Sequence, residues 1–253
     1  MGLRDAALTL VGYIDHGYLA AAHRGRTWLL RAIAGDPADV QIMYGIAGER
    51  DLPEREITSL PGYDGARPVR IGNGAVDQYQ ADVIGEVMVA LEAARNAGVE
   101  ETSFSWALQR ALLDQLAEWF DRPDNGIWEM RGDPHFFTHS RAMVWAAFDR
   151  GIRAVEQNGL DGEVDTWRQL RDRARDDIDA HGVHAGGWFT QHADTDEVDA
   201  SLLILPQVGF CAFDDPRMLA TVARMEQTLM PDGWLLRYRT TGVDGLAGDE
   251  HPF

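Results

Sequence analysis

Apolar residues return every three or four positions along most of this chain. Between Val76 and Ala97 the set Val76, Tyr79, Val83, Val87, Met88, Leu91 and Ala94 keeps that spacing, which places all seven on one face of a helix. The same period predicts helices at about 5–16, 18–34, 105–120, 139–157, 164–180, 200–208 and 216–229, roughly eight in all. Asn125-Gly126, Asn158-Gly159, Gly98 and Gly233 fall between helical runs, where a residue tolerant of the left-handed conformation ends a helix. Alternation of period two is scarce, so the fold class expected is all-α.

Two stretches break the helical period. Residues 41–74 contain Leu60-Pro61-Gly62-Tyr63-Asp64-Gly65 and Arg67-Pro68-Val69-Arg70-Ile71-Gly72-Asn73-Gly74, and residues 234–253 are mostly glycine, threonine and acids. Long irregular connections inside a helical domain are often functional. Helices joined by such loops suit a closed array of helical hairpins better than a solenoid, because no constant repeat length is present. In a closed array the loops at one end converge on a central cavity.

Composition narrows the function classes. A chain of 253 residues with 45% apolar content can bury a substantial core as one domain. Its formal charge of -18 repels phosphate backbones and anionic lipid, so nucleic acid is not an expected partner. No apolar run reaches membrane-spanning length and the start of the chain has no leader pattern, so no membrane partner and a cytoplasmic location are expected. All 23 basic residues are Arg, which excludes a Schiff-base lysine and the lysine of a phosphate-binding loop. Cys211 is the one cysteine; it cannot form an internal disulfide, and its apolar surroundings suggest a buried structural role.

The candidate chemistry lies in two separated acids. Gly126-Ile127-Trp128-Glu129-Met130-Arg131-Gly132 sets a carboxylate beside a tryptophan between glycines, and Gly248-Asp249-Glu250-His251-Pro252-Phe253 offers a second carboxylate far along the chain. A protonated carboxyl and an ionised one on opposite faces of a sugar are what glycosidic bond cleavage requires. Taken alone, Glu129 also reads as an ordinary exposed loop acid, and Arg4-Asp5 as a helix start where the dipole favours Asp. His135 and His139 have a spacing that could hold zinc, and Asp194, Asp196, Glu197 and Asp199 form an acidic cluster. Neither has its companion ligands, so no metal site is assigned.

Several stretches together resemble the catalytic domain of glycoside hydrolase family 15, which includes glucoamylases and bacterial trehalase-like enzymes. They are Leu3-Arg4-Asp5-Ala6; Ile42-Met43-Tyr44-Gly45 through Glu54; the Leu60 to Asn73 loop with Gln78, Gln80 and Gly85-Glu86; and Gly126-Ile127-Trp128-Glu129. Further similarity runs through Phe137-Thr138-His139-Ser140, Asp199-Ala200-Ser201 and Tyr238-Arg239-Thr240. The resemblance implies an (α/α)6 toroid-type barrel of twelve helices, here incomplete with about eight, so that residues 1–253 read as a catalytic domain truncated at both ends. Apolar faces left uncovered would need a second polypeptide, with a homo-oligomer one such arrangement.

By position, the resemblance makes Glu129 the general acid and Glu250 the candidate general base. It makes Arg4, Asp5 and Trp128 the residues around the non-reducing glucose, and sets Arg67 at the entrance. Glu250 departs from the family's usual Gly-Glu-Gly-Ala-Phe context. Met130 stands where fungal glucoamylases carry a second acid, which weakens a starch-type reading. The activity implied is inverting α-glucoside hydrolysis with trehalose as leading substrate, or glucoamylase-type hydrolysis of α-1,4 and α-1,6 glucans. The alternative from another class is an inactive helical fragment that binds a partner chain. The chemistry requires no cofactor; phosphate and magnesium dependence is allowed by the trehalase branch, and the partner is a small carbohydrate.

Overall fold

The computed structural model describes residues 1–239, so Glu250 lies outside the described residues. Seven α-helices carry the fold: α1 (Leu3–Asp15), α2 (Leu19–Ala32), α3 (Asp82–Asn96), α4 (Ser103–Glu118), α5 (Thr138–Asn158), α6 (Val164–His181) and α7 (Pro216–Thr228). The helix expected from Val76 begins only at Asp82. Residues 76–81 instead approach it as turn and irregular chain, because Asp124 accepts a hydrogen bond from the Ala81 N–H (2.9 Å) and ties off the helix start. The helix expected over residues 200–208 is a short 3-10 helix, Ala200–Ile204, in which Asp199 accepts the Ser201 N–H. The irregular stretch 41–74 holds one two-residue antiparallel pair, β1 (Arg55–Glu56) with β2 (Arg70–Ile71).

The helices form consecutive hairpins. α1 packs on α3 and α3 on α5, whereas α2 returns against α1 and α6 against α5, with α4 touching both α3 and α5. Burial follows this layering. The inner helix α5 is buried from Thr138 through Ile152, while α6 buries only Trp167, Ala174 and Ile178. An inner helix buries residues on every side, so its buried charges must be paired, as Arg150 is with Glu92 and Asp149, and at closest approach it needs glycine. A Cβ on Gly85 would stand 2.3 Å from the Met143 carbonyl oxygen of α5, so α3 and α5 meet backbone to backbone there.

Trp145 and Trp167 are core residues, as their helical positions suggested, and Trp106 meets Trp167 edge to face. Cys211 is free but only half-buried, less enclosed than its apolar neighbours in sequence indicated. Along α1 and its turn into α2, Leu8, Tyr13, Tyr18 and Leu19 are exposed. Among the described residues no helix is long and apolar enough to cross a membrane.

Helix alternation puts the N-termini of α1, α3 and α5 at one end, and three contacts join them. Arg4 of α1 pairs with Asp82 of α3 (2.7 Å). Asp124, before α5, accepts both the Ala81 N–H and the Ser140 hydroxyl (2.7 Å). Ile42 accepts the Leu3 N–H (2.8 Å), which draws the long connection across the same end.

Candidate active site

The loop 125–130 stands at that end of the molecule. Gly126 takes a positive φ of 67°, and a Cβ there would press on the Phe137 ring at 3.0 Å. Glu129 also takes a positive φ, 58°. Such a conformation costs a non-glycine residue of order 1 kcal/mol and persists only where surrounding contacts enforce it. The enforcing contacts fall on the loop's carbonyls. Arg4 Nη1 donates to Ile127 O (3.1 Å), Gln78 Nε2 to Glu129 O (3.3 Å) and Met130 O (2.9 Å), and Asn125 Nδ2 to Met130 O (3.0 Å).

The Glu129 carboxyl faces a cavity of about 430 Å³. Arg4, Asp5, Tyr44, Asn73 and Gln80 share its wall. Asn73 Nδ2 reaches Glu129 Oε2 at 3.2 Å. The Asn73 amide cannot turn over, because its Oδ1 accepts the Ala75 N–H (2.9 Å). Asp5 is exposed in the first turn of α1, with Gly2 leaving room beside it: a Cβ on Gly2 would lie 2.6 Å from Asp5 Oδ2.

Arg4 is held on three sides. Its Nε donates to Asp82 Oδ2, its Nη2 to Gln80 Oε1 (2.6 Å) and its Nη1 to Ile127 O. Three of five N–H groups are thereby used, and the remainder of the fork is available to ligand hydroxyls. Asp82 is fully buried. Burial works against its ionisation, yet the charge and hydrogen bond of Arg4 outweigh it and hold the carboxyl below the ordinary carboxylate range.

The titratable groups behind the pair go the other way. Burial, reinforced by the Asp82 charge, pushes Glu86 up to about 8 and Asp124 up to about 7. Burial lowers His139 to about 4, so it is neutral. Behind the acid loop one ionised carboxylate, Asp82, thus stands against the Arg4 guanidinium.

Trp128 leaves the loop on another side. Its indole N–H donates to Asp199 at 2.9 and 2.8 Å to the two oxygens, and its ring lies near Tyr238 and beneath the Arg237 guanidinium. Trp128 is not part of the wall shared by Arg4, Asp5 and Glu129. Arg67 is exposed and lines a separate depression with Leu60 and Arg70. Of the sequence candidates, then, Arg4, Asp5 and Glu129 converge, Trp128 flanks them, Arg67 stands apart, and Glu250 is outside the described residues.

His135 and His139 do not converge: His139 is buried, and His135 stacks on His192 at 4.2 Å. Among the described residues no three His, Cys, Asp or Glu side chains group as a metal site. Asp82, Gln80, Gln78 and Asn73 carry contacts that the motif reading did not assign. A signal for three of them is present. Gln78, Gln80 and Asp82 recur as polar positions at every second residue between Tyr79, Ala81 and Val83, and they join Arg4 or one another where the chain turns into α3.

Comparison with known proteins gives the family. The family model described as "Glycosyl hydrolases family 15" matches residues 2–253. A trehalase of Mycobacterium tuberculosis is 40% identical over 85% of this chain and 32% of its own length. A trehalase of Thermoplasma acidophilum is 38% identical over 99% of this chain and 43% of its own length. The chain therefore spans less than half the length of these relatives. Among solved structures, a bacterial glucoamylase complexed with acarbose superposes on all of this chain and 39% of its own, with TM-score 0.68 at 16% identity. That likeness gives the fold, a partial (α/α)6 toroid. By the family match and the trehalase relatives, the chain belongs to glycosyl hydrolase family 15.

Proposed function

We propose that this chain carries the general acid and the glucose-binding wall of an inverting α-glucoside hydrolase acting on trehalose. The observation that supports this best is the convergence of Arg4, Asp5 and the strained Glu129 on one cavity, in a chain whose relatives include trehalases. Residues 1–253 act in this reading as one catalytic domain.

In the reaction, protonated Glu129 gives its proton to the glycosidic oxygen as the bond to the anomeric carbon breaks. A water attacks that carbon from the opposite face, and Glu250 takes the water's proton. Room for the water requires the two carboxyl groups to stand roughly 6.5–9.5 Å apart, against about 5–5.5 Å in a retaining enzyme. The free N–H groups of Arg4 and the Asp5 carboxylate hydrogen-bond adjacent hydroxyls of the glucose. Trp128, tethered to Asp199, shapes the wall beyond the acid. Arg67 takes no part in this scheme, since it lines a different depression.

Trehalose is preferred to α-glucans because Met130 is buried against Phe137 and Tyr238 and offers no second acid to the next sugar. Phosphate and magnesium belong in the assay buffer on the strength of the trehalase resemblance.

The exposed Leu8, Tyr13, Tyr18 and Leu19 favour a second reading, in which the chain works only when another polypeptide covers that face. One experiment separates the two. The purified chain is incubated with trehalose or maltose and the anomer of released glucose is followed by NMR. Release from trehalose of one β-glucose, from the attacked carbon, with one α-glucose, the leaving sugar, abolished in Glu129→Gln with unchanged circular dichroism, supports the hydrolase; α-glucose alone, or turnover retained in that variant, rejects it.

A further inference from the structure

The acid loop is gripped from behind by a row of side chains whose last member never reaches the cavity. Gln78 donates to the carbonyls of Glu129 and Met130, Gln80 Nε2 donates to Gln78 Oε1 (3.2 Å), Gln80 Oε1 accepts Arg4 Nη2, and Asp82 accepts Arg4 Nε. Arg4 closes the circuit by donating to Ile127 O. Each carbonyl so held belongs to the turn in which Glu129 adopts its positive φ.

We propose that Asp82 is a positioning residue for the acid, acting through Arg4. A guanidinium is planar and its donors are fixed relative to one another. Once Nε is locked onto Asp82 Oδ2, the direction of Nη1 toward Ile127 O and of the unused N–H groups toward the cavity is set together. Asp82 is suited to this because it is buried and sits in the first turn of α3, which packs backbone to backbone on α5. The helix framework thereby fixes the carboxylate, the carboxylate fixes the fork, and the fork fixes the loop relative to the glucose site.

This inference rests on the proposed reaction for its catalytic meaning, but its geometry can be tested separately. The test is a double-mutant cycle in the full chain with Asp82→Asn, Arg4→Lys and both together. Amide exchange of Glu129 and Met130, whose N–H groups bond to Gly126 O and Asn125 O, is read alongside kcat and KM on trehalose. Each single variant is expected to speed exchange of those two amides on the order of 10-fold. Each is expected to lower kcat by roughly 10- to 100-fold, and the double variant to be no worse than either single one.

Unchanged exchange in Asp82→Asn, or effects that multiply in the double variant, overturns the proposal. So does a variant that melts earlier but keeps its kcat and KM. Should Asp82→Asn fail to fold, Gln78→Met removes the other grip on the same turn and must speed the same two amides, or the circuit is wrong. A parent chain that hydrolyses neither trehalose nor maltose defeats the proposed function, while the exchange cycle still decides the role of Asp82.

Discussion

Trp128 and Asp199, 71 residues apart in sequence, meet through the indole N–H and both carboxylate oxygens. Asp199 also accepts from Gln191 Nε2 (3.0 Å) and the Ser201 N–H (2.7 Å). The carboxylate therefore joins the flank of the acid loop to the start of a 3-10 helix on the far side of α5. Asp199→Asn puts an NH2 group where one oxygen accepted N–H donors. Donors facing donors in a buried place are expected to cost about 1–3 kcal/mol. Thermal melting would show the loss, and Trp128, freed of its tether, should become more accessible to an aqueous fluorescence quencher.

The backbone at Glu129 sets stability against chemistry. Glycine adopts a φ of 58° without the steric penalty a glutamate meets there. Glu129→Gly is expected to stabilise the chain by roughly 0.5–1 kcal/mol, less whatever the Asn73 contact contributes, while removing the proposed acid. A higher melting temperature with no hydrolysis is the outcome to look for. A lower melting temperature would mean that the surrounding carbonyl contacts need the glutamate side chain, and that the turn stores no strain.

Much of this was legible in the chain, and the reasons it was or was not differ by residue. The outer helices α2, α6 and α7 announce themselves because each buries one stripe, a 3.6-residue period that survives without knowledge of the partner. The start of α3 differs from the expectation because Val76 and Tyr79 also pack on the core, from turn and irregular chain whose end is fixed by Asp124 across the molecule. Glu129 stood out through its glycine neighbours, and Arg4-Asp5 through the resemblance. Asp82 did not, since a buried carboxylate inside an amphipathic run looks like any polar helix position until Arg4 is seen beside it. Arg67, whose expected place at the entrance rested on aligning an irregular loop, lines a depression apart from the Glu129 cavity, and no period along such a loop says which side chains face inward.

At the contact of α3 with α5, Gly85→Ala tests how much the site depends on helix spacing. The new methyl would face the Met143 carbonyl oxygen at 2.3 Å, a backbone atom that can move only with its helix. Overpacking of this sort costs about 1–3 kcal/mol. Because Asp82 lies one turn before Gly85 on the same helix, the shift should also reach Arg4. The expected result is a lower melting temperature together with a raised KM for trehalose; a lower melting temperature with unaltered KM would confine Gly85 to packing.

The buried acids give the chain a pH dependence of defined sign. Glu86 ordinarily titrates at 4.5 and is pushed to about 8, and Asp124 moves from 3.8 to about 7, in both cases by burial first and the Asp82 charge second. Between those values the folded chain holds a proton that the unfolded chain has released. Their stabilisation is therefore complete below the ordinary values and is lost as pH rises through the folded ones. His139 and His192 oppose this, since burial lowers each from 6.5 to about 4 and unfolding takes up protons between those limits, so stability there rises with pH. At pH 6.5 the unfolded histidines are still half-protonated and oppose the carboxyls only in part; by about pH 7.5 they are neutral in both states and the carboxyls act alone. The melting temperature should accordingly fall from pH 6.5 to 8. In Glu86→Gln, which cannot titrate, the fall should be shallower and die away by about pH 8, where Asp124, titrating at about 7, has lost most of its proton. An undiminished decline in that variant would mean that Glu86 is already ionised in the folded chain, and that Arg4 faces two carboxylates instead of one.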